Sequence, residues 1–148
     1  MNIGIASDHR GYKLKEKLTK YLMKKHYNVI NYGTDSIESV DYPDYAIKIG
    51  DGINKKEIDL GIIICGTGIG VSIVCNKIKG IRCAKVNNIK EAKMARAHND
   101  ANVLAIGSDL WLITAKDIVD AFINTPFSNE ERHINRIAKI TKIEEGNL

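Results

Sequence analysis

The sequence predicts an α/β protein built on one doubly wound parallel sheet of five strands, with helices on both faces. Three observations carry that prediction. Short apolar runs closed by glycine or a polar turn recur along the chain, and longer segments with apolar residues at helical spacing lie between them. The run Leu60-Gly61-Ile62-Ile63-Ile64-Cys65 is apolar without alternation, as in a strand covered on both faces. No linker, internal repeat or low-complexity tract interrupts the pattern, so residues 1–148 are expected to form a single domain.

Taken in order, Asn2–Ser7 reads as the first strand, followed by the polar loop Asp8-His9-Arg10-Gly11. Leu14, Leu18, Tyr21 and Leu22 then form one stripe of a helix. Asn28–Tyr32 is the second strand, closed by Gly33, and Thr34–Val40 is polar and turn-like. Pro43 is placed to open a helix that runs to about Ile53, with Gly50 and Gly52 weakening its last turns. After the third strand, Leu60–Cys65, comes a glycine-rich turn and a helix read over Val71–Ile78. Gly80–Val86 is the fourth strand, and Asn87 or Asn88 caps a helix over Ile89–Ala97. His98-Asn99-Asp100-Ala101 is read as a turn into the fifth strand, Asn102–Gly107. Ser108 or Asp109 caps the next helix, whose stripe is Leu112, Ala115, Ile118, Val119 and Phe122, and Thr125-Pro126 ends it. The last helix, Asn129–Glu144, carries Ile134, Ile137, Ala138 and Thr141 on one face. That face can pack on its own domain or cross to a second copy. The layout is Rossmann-like.

Composition narrows the function. Hydrophobic residues make up 44% and charged residues 27% of 148, as in ordinary globular proteins. A net charge of +4 suits a small anionic substrate. No Lys/Arg run with interleaved aromatics marks a nucleic-acid partner. No apolar stretch approaches the ~20 residues that span a bilayer, so no membrane partner is expected. Met1 leads directly into a strand without a basic leader, and three cysteines lack framework spacing. The expected setting is the cytoplasm.

The chemistry centres on Cys65-Gly66-Thr67-Gly68-Ile69-Gly70, because ligands of open α/β sheets bind beyond the carboxyl ends of the strands. Three glycines let the backbone approach a ligand closely, and the helix start that follows favours negative charge. The spacing G-x-G-x-G departs from the dinucleotide fingerprint, and Val71-Ser72 replaces the Lys-Ser/Thr of a P-loop. What remains is a turn whose N–H groups, from Gly66 through Gly68, Ile69 and Gly70, face a developing oxyanion. Cys65 beside them is either a buried inert thiol or an activated base or nucleophile. Cys75 and Cys83 fall inside a helix and a strand and read as structural.

Other candidates carry bland alternatives. Asp8-His9 can be a capping turn, and His98-Asn99 a helix end. His9, His98 and His133 all fall in loops or near helix starts, whereas His26 sits in a plain polar stretch. Arg132 and Arg136 share a helix face; they either pair with Glu130, Glu131 or Glu144, or present two forked donors to a phosphate. No His/Cys/Asp/Glu set has tight ligand spacing, so no metal is expected.

Together these motifs resemble the ribose-5-phosphate isomerase type B family, which includes galactose-6-phosphate isomerase subunits. The resemblance covers nearly the whole chain. It rests on Ser7-Asp8-His9-Arg10-Gly11, Asp41-Tyr42-Pro43, Cys65-Gly66-Thr67-Gly68-Ile69-Gly70, His98-Asn99-Asp100-Ala101-Asn102-Val103-Leu104 and Arg132-His133-Ile134-Asn135-Arg136. It implies an aldose–ketose isomerase of the pentose phosphate pathway that uses no cofactor or metal and works through an enediolate. Ribose 5-phosphate and ribulose 5-phosphate are the implied pair, with a six-carbon sugar phosphate as the alternative; a non-catalytic phosphosugar-binding module is a further one. Carried onto matching positions, it implies Cys65 as the base, Thr67 as the proton carrier at the sugar oxygens and His98 as the ring-opening group. Asp8, His9, Tyr42 and Asn99 would hold the substrate, and Arg132 and Arg136 its phosphate. It also implies a homodimer, or a dimer of such dimers, with each site shared between subunits. One position departs from the pattern: Asp109 stands where many members carry a phosphate-binding arginine. Either the two arginines and His9 suffice, or the phosphate sits differently.

Overall fold

A computed structural model describes residues 1–147. Five strands, β1 (Asn2–Ser7), β2 (Asn28–Asn31), β3 (Leu60–Cys65), β4 (Cys83–Lys85) and β5 (Val103–Gly107), form one sheet in the order β2-β1-β3-β5-β4. Every neighbouring pair is parallel. Six helices accompany them: α1 (Tyr12–Lys24), α2 (Tyr42–Asn54), α3 (Ile69–Cys75), α4 (Ile89–Asn99), α5 (Leu112–Asn124) and α6 (Glu131–Glu144). The predicted fold class is the observed one.

The central strand β3 is buried along its whole length, which is why its sequence lacks polar alternation. Alternate side chains still choose faces. Ile62 and Ile64 join Ile3, Ile5, Leu104 and Ile106 beneath α1, α4 and α5. Ile63 and Cys65 join Ala6, Val103 and Ala105 beneath α2 and α3. Each fully buried isoleucine or leucine contributes about 1.5–3 kcal/mol, so the two layers together hold the sheet. Cys65 thus belongs to the α2–α3 face.

Several boundaries differ from the sequence expectation, each for a local reason. β2 stops at Asn31, whose side-chain oxygen accepts the Gly33 N–H at 2.9 Å and turns the chain. α2 continues through Gly50 and Gly52 because these positions pack tightly: a Cβ on Gly50 would stand 2.6 Å from Ile78 Cδ1. α3 ends at Cys75, short of Ile78, because Asn76 leaves the helix to bond both the N–H and the carbonyl of Cys83. β4 is only three residues long, since Gly80 turns at φ +81° and the Asn102 side chain holds its carbonyl. α4 is capped by Asn88, which accepts the Glu91 N–H at 2.9 Å. It runs through His98 and Asn99, so these two are the helix's last residues and not a turn. Asp100, at φ +43°, makes the left-handed exit. β5 begins at Val103, and the Asn102 N–H just before it bonds the Arg82 carbonyl at the entry to β4. Neither Ser108 nor Asp109 caps α5. The Ser108 N–H reaches back to Cys65 O, and the helix starts after Trp111 without a side-chain cap. α6 begins at Glu131, two residues later than expected, because Asn129 holds a left-handed φ of +56°.

α6 stands largely apart from the sheet. Ile134, Ile140 and Ile143 remain exposed on it, and its one buried residue is His133. An apolar cavity of about 590 Å³ opens between α6, α4 and β4, lined by Ile81, Cys83, Val86, Met94, Ile140 and Ile143. Among the described residues, no helix is long and apolar enough to cross a membrane.

Candidate active site

At the carboxyl end of β3 the chain meets Cys65, 5% exposed, whose Sγ accepts the Gly68 N–H at 3.1 Å. That bond fixes the sulfur beside the turn. Gly68 makes the geometry possible. It sits at φ +76°, and a Cβ there would lie 2.9 Å from the Ile106 carbonyl carbon. Thr67 Oγ1 accepts the Ile69 N–H at 3.2 Å, which leaves its hydroxyl hydrogen free to donate. Among the described residues, the N–H groups of Thr67, Gly70 and Val71 donate to no acceptor in the chain. These are orphan donors of a helix start, available to an anion. Because α3 spans only seven residues, its dipole adds little, and the individual N–H groups matter more than the helix behind them.

Two other segments converge on this turn. Tyr42, at the first turn of α2, lays its ring on Gly70: a Cβ there would be 2.7 Å from Tyr42 Cζ. Asp8, at the end of β1, is buried; its Oδ1 accepts the Gly11 N–H at 3.0 Å and its own N–H bonds Ile64 O. Asp8 thus closes the β1–α1 loop and fixes it beside β3, while α1, with Gly11 as its N-cap, has no side-chain cap. His9 Nδ1 accepts the Val40 N–H at 3.2 Å. The neutral ring accordingly carries its proton on Nε2, which remains a free donor.

The remaining candidates lie elsewhere. α4 returns from the carboxyl edge of the sheet to its amino edge, so His98 and Asn99 end up beside the start of β5. There the Asn99 carbonyl accepts from Arg82 Nε at 2.9 Å, and Asn102 bonds Arg82 in turn. Cys65 pairs with Gly107 at the opposite end of β5. Four residue steps of strand, about 13 Å, separate the two levels before any side-chain offset is added. His98 stacks on His133 with ring centroids 4.4 Å apart, and Ser128 Oγ lies 2.8 Å from His133 Nδ1. Burial, reinforced by the neighbouring His98, holds His133 below the usual histidine range. Arg132 and Arg136 are exposed on the same helix, Arg132 bonded through Nε to Glu130 at 2.8 Å. The Arg132 guanidinium pulls the Glu130 carboxyl below its ordinary value.

One chain therefore gathers the candidate residues into two groups. Cys65, Thr67, Gly66, Gly68, Ile69, Gly70, Asp8, His9 and Tyr42 share the carboxyl end. His98, Asn99, Arg132 and Arg136 share the amino end. Two neighbours were not singled out for a role from sequence. His133 is buried against His98, and Arg10 lies over Gly66. Their adjacency to Arg132 and to Asp8-His9 was the available signal.

The family model described as Ribose/Galactose Isomerase matches residues 3–140. The Escherichia coli (strain K12) protein named ribose-5-phosphate isomerase B is 42% identical, covering 97% of this chain and 96% of that protein. Among solved structures, the ribose-5-phosphate isomerase B of Clostridium thermocellum is 47% identical with a TM-score of 0.96, covering both chains completely. The Mycoplasma genitalium ribose-5-phosphate isomerase B, solved with bound ribulose-5-phosphate, is 41% identical with a TM-score of 0.93, covering 97% of this chain and 96% of that one. With the family model spanning all five strands, the chain belongs to the Ribose/Galactose Isomerase family.

Proposed function

We propose that the protein interconverts ribose 5-phosphate and ribulose 5-phosphate by proton transfer through an enediolate, with neither metal nor cofactor. The observation that carries this reading is the Cys65 thiol held at 3.1 Å by the Gly68 N–H beside the unpaired N–H groups of Thr67, Gly70 and Val71. A proton α to a carbonyl is weakly acidic, so a base must act where the resulting oxyanion is stabilised. Cys65 takes the proton from C2 of the open-chain aldose, and the electron pair moves to form the enediolate. The loop N–H groups hold the charge at O1. Thr67 passes a proton between O2 and O1, and Cys65 returns its proton to C1 to give the ketose.

Sugar phosphates are mainly closed rings, so a second acid/base group must open them first. His98 takes the proton from the anomeric hydroxyl and delivers it to the ring oxygen as the bond between C1 and that oxygen breaks. Since His98 and Cys65 belong to opposite ends of one sheet, we assign them to different subunits of a homodimer, alone or as a dimer of dimers. The exposed isoleucines of α6 and the apolar cavity beside it support a second copy there. Asp8, His9, Tyr42 and Asn99 then hold the sugar hydroxyls, and Arg132 and Arg136 the phosphate. On this reading residues 1–148 act as one isomerase domain. Its three unbridged cysteines suit the cytoplasm.

The test is the initial rate with ribose 5-phosphate in a metal-chelating buffer, wild type beside Cys65→Ala. Turnover by wild type alone supports the reading; equal rates remove Cys65 from the chemistry. A six-carbon sugar phosphate is the competing substrate, because the Asp109 carboxylate stands near the turn. A higher kcat/KM with allose or galactose 6-phosphate selects it.

A further inference from the structure

A cation stands at the glycine turn that the proposed chemistry does not use. Arg10 follows Asp8 and His9 in the β1–α1 loop, and its guanidinium folds across Gly66. A Cβ placed on Gly66 would lie 3.0 Å from Arg10 Nε and 3.2 Å from both Cδ and Cζ. The side chain is exposed, and among the described residues it makes no ion pair or hydrogen bond. The other arginines near functional segments are engaged or distant. Arg82 and Arg96 are tied to Asp100, and Arg132 and Arg136 lie at the far end of the sheet. At the carboxyl end, besides the buried Asp8 that bonds the Gly11 N–H, stands Asp109, whose Oδ1 lies 2.8 Å from where a Gly107 Cβ would be, close to the Gly66 carbonyl. Arg10 and Asp109 flank the same turn without bonding each other.

We infer that Arg10 is a substrate-binding residue of the Cys65 half-site, contacting the phosphate of the sugar phosphate. The inference rests on the isomerase reading for its substrate. The reacting carbons must reach the thiol, which is 5% exposed, so that end of the sugar points inward. The phosphate is the most strongly hydrated part of the molecule and stays at the rim, where Arg10 presents an unpaired planar fork. His9, one residue earlier in the same loop, has its Nδ1 occupied by the Val40 N–H and its Nε2 left for a ligand. Arg10 also offsets the Asp109 carboxylate, which would otherwise leave the mouth of this half-site with a repulsive charge for a dianion.

The experiment compares wild type, Arg10→Ala and Arg10→Lys in steady-state kinetics with ribose 5-phosphate, with inorganic phosphate as competitive inhibitor. Arg10→Ala is expected to raise KM and the phosphate inhibition constant in parallel, each about tenfold, with kcat within about threefold. Arg10→Lys falls between, because a point charge replaces the fork. Unchanged KM and inhibition constant overturn the inference, and so does a loss confined to kcat. The melting temperature with added inorganic phosphate separates this result from the identity of the substrate. Phosphate should raise the Tm of wild type more than that of Arg10→Ala even if ribose 5-phosphate is not turned over, and equal shifts again exclude Arg10.

Discussion

The imidazole rings of His98 and His133 stand 4.4 Å apart at a tilt of 36°, with Ser128 against the far nitrogen of His133. Burial first, and the charge of His98 second, keep His133 neutral below the pH at which a free histidine protonates. The folded protein therefore binds fewer protons at this site than the unfolded chain. The stability this site contributes is complete above about pH 6.5, the unfolded value, and declines as pH falls through it. His133→Asn should flatten the fall of Tm between pH 7 and pH 5. An unchanged slope would show that other groups set the acid sensitivity.

Two glycines of one turn should fail in different ways. Gly68→Ala forces a side chain into a left-handed position against the Ile106 carbonyl, at an expected cost of about 1–3 kcal/mol in chemical denaturation. Gly70→Ala meets only the ring of Tyr42, which is 39% exposed and can swing away. Its stability should change by less than about 1 kcal/mol while turnover falls about tenfold or more, because Tyr42 leaves its place. A Gly70→Ala enzyme with normal kcat/KM would remove Tyr42 from substrate binding.

Lys15 is fully buried although its ion-pair partners are not. Its Nζ bonds Asn31 at 2.8 Å and Glu16 at 3.0 Å, and reaches Asp35 at 3.5 Å. Lys15→Met fills similar space but leaves these acceptors without their donor. Urea unfolding should show a loss of about 1–3 kcal/mol. No loss would mean that water replaces the ammonium group.

The thiols should also separate. Contact with Cys75 and burial push the Cys83 thiol well above its ordinary range, so it stays protonated and unreactive. Cys75→Ser and Cys83→Ser are expected to retain turnover, and iodoacetamide at pH 8 should leave Cys83 unlabelled by peptide mass mapping. Labelling of Cys83 in the folded protein would contradict this environment.

The strand–helix alternation was legible because burial on both faces writes itself into sequence as unbroken apolar runs, as in β3. Local boundaries were less so. The last turn of α4 takes in His98 and Asn99 because Asp100 accepts a left-handed φ of +43°, a choice that only weakly marks sequence. The burial of Lys15 needs Asn31 and Asp35 from another segment, which no periodicity reveals. The turn at Cys65 could be read because glycine spacing is a local signal. The division of the candidate residues was implicit in the alternation itself, since a strand's end and the following helix's end lie at opposite edges of the sheet. Resemblance implied a site shared between subunits without saying which residues each would supply; the fold separates the candidates into two groups.

On the proposed sharing of each site between two subunits, that division has a genetic corollary. A subunit lacking Cys65 still carries an intact His98 half, and one lacking His98 still carries an intact Cys65 half. Two individually dead proteins, mixed and allowed to exchange subunits, would form hybrids in which one of two sites combines both undamaged halves. Random pairing makes half the dimers hybrid, so recovery approaches about one quarter of normal activity. Two harmful alleles in one cell could thereby sustain what neither sustains alone.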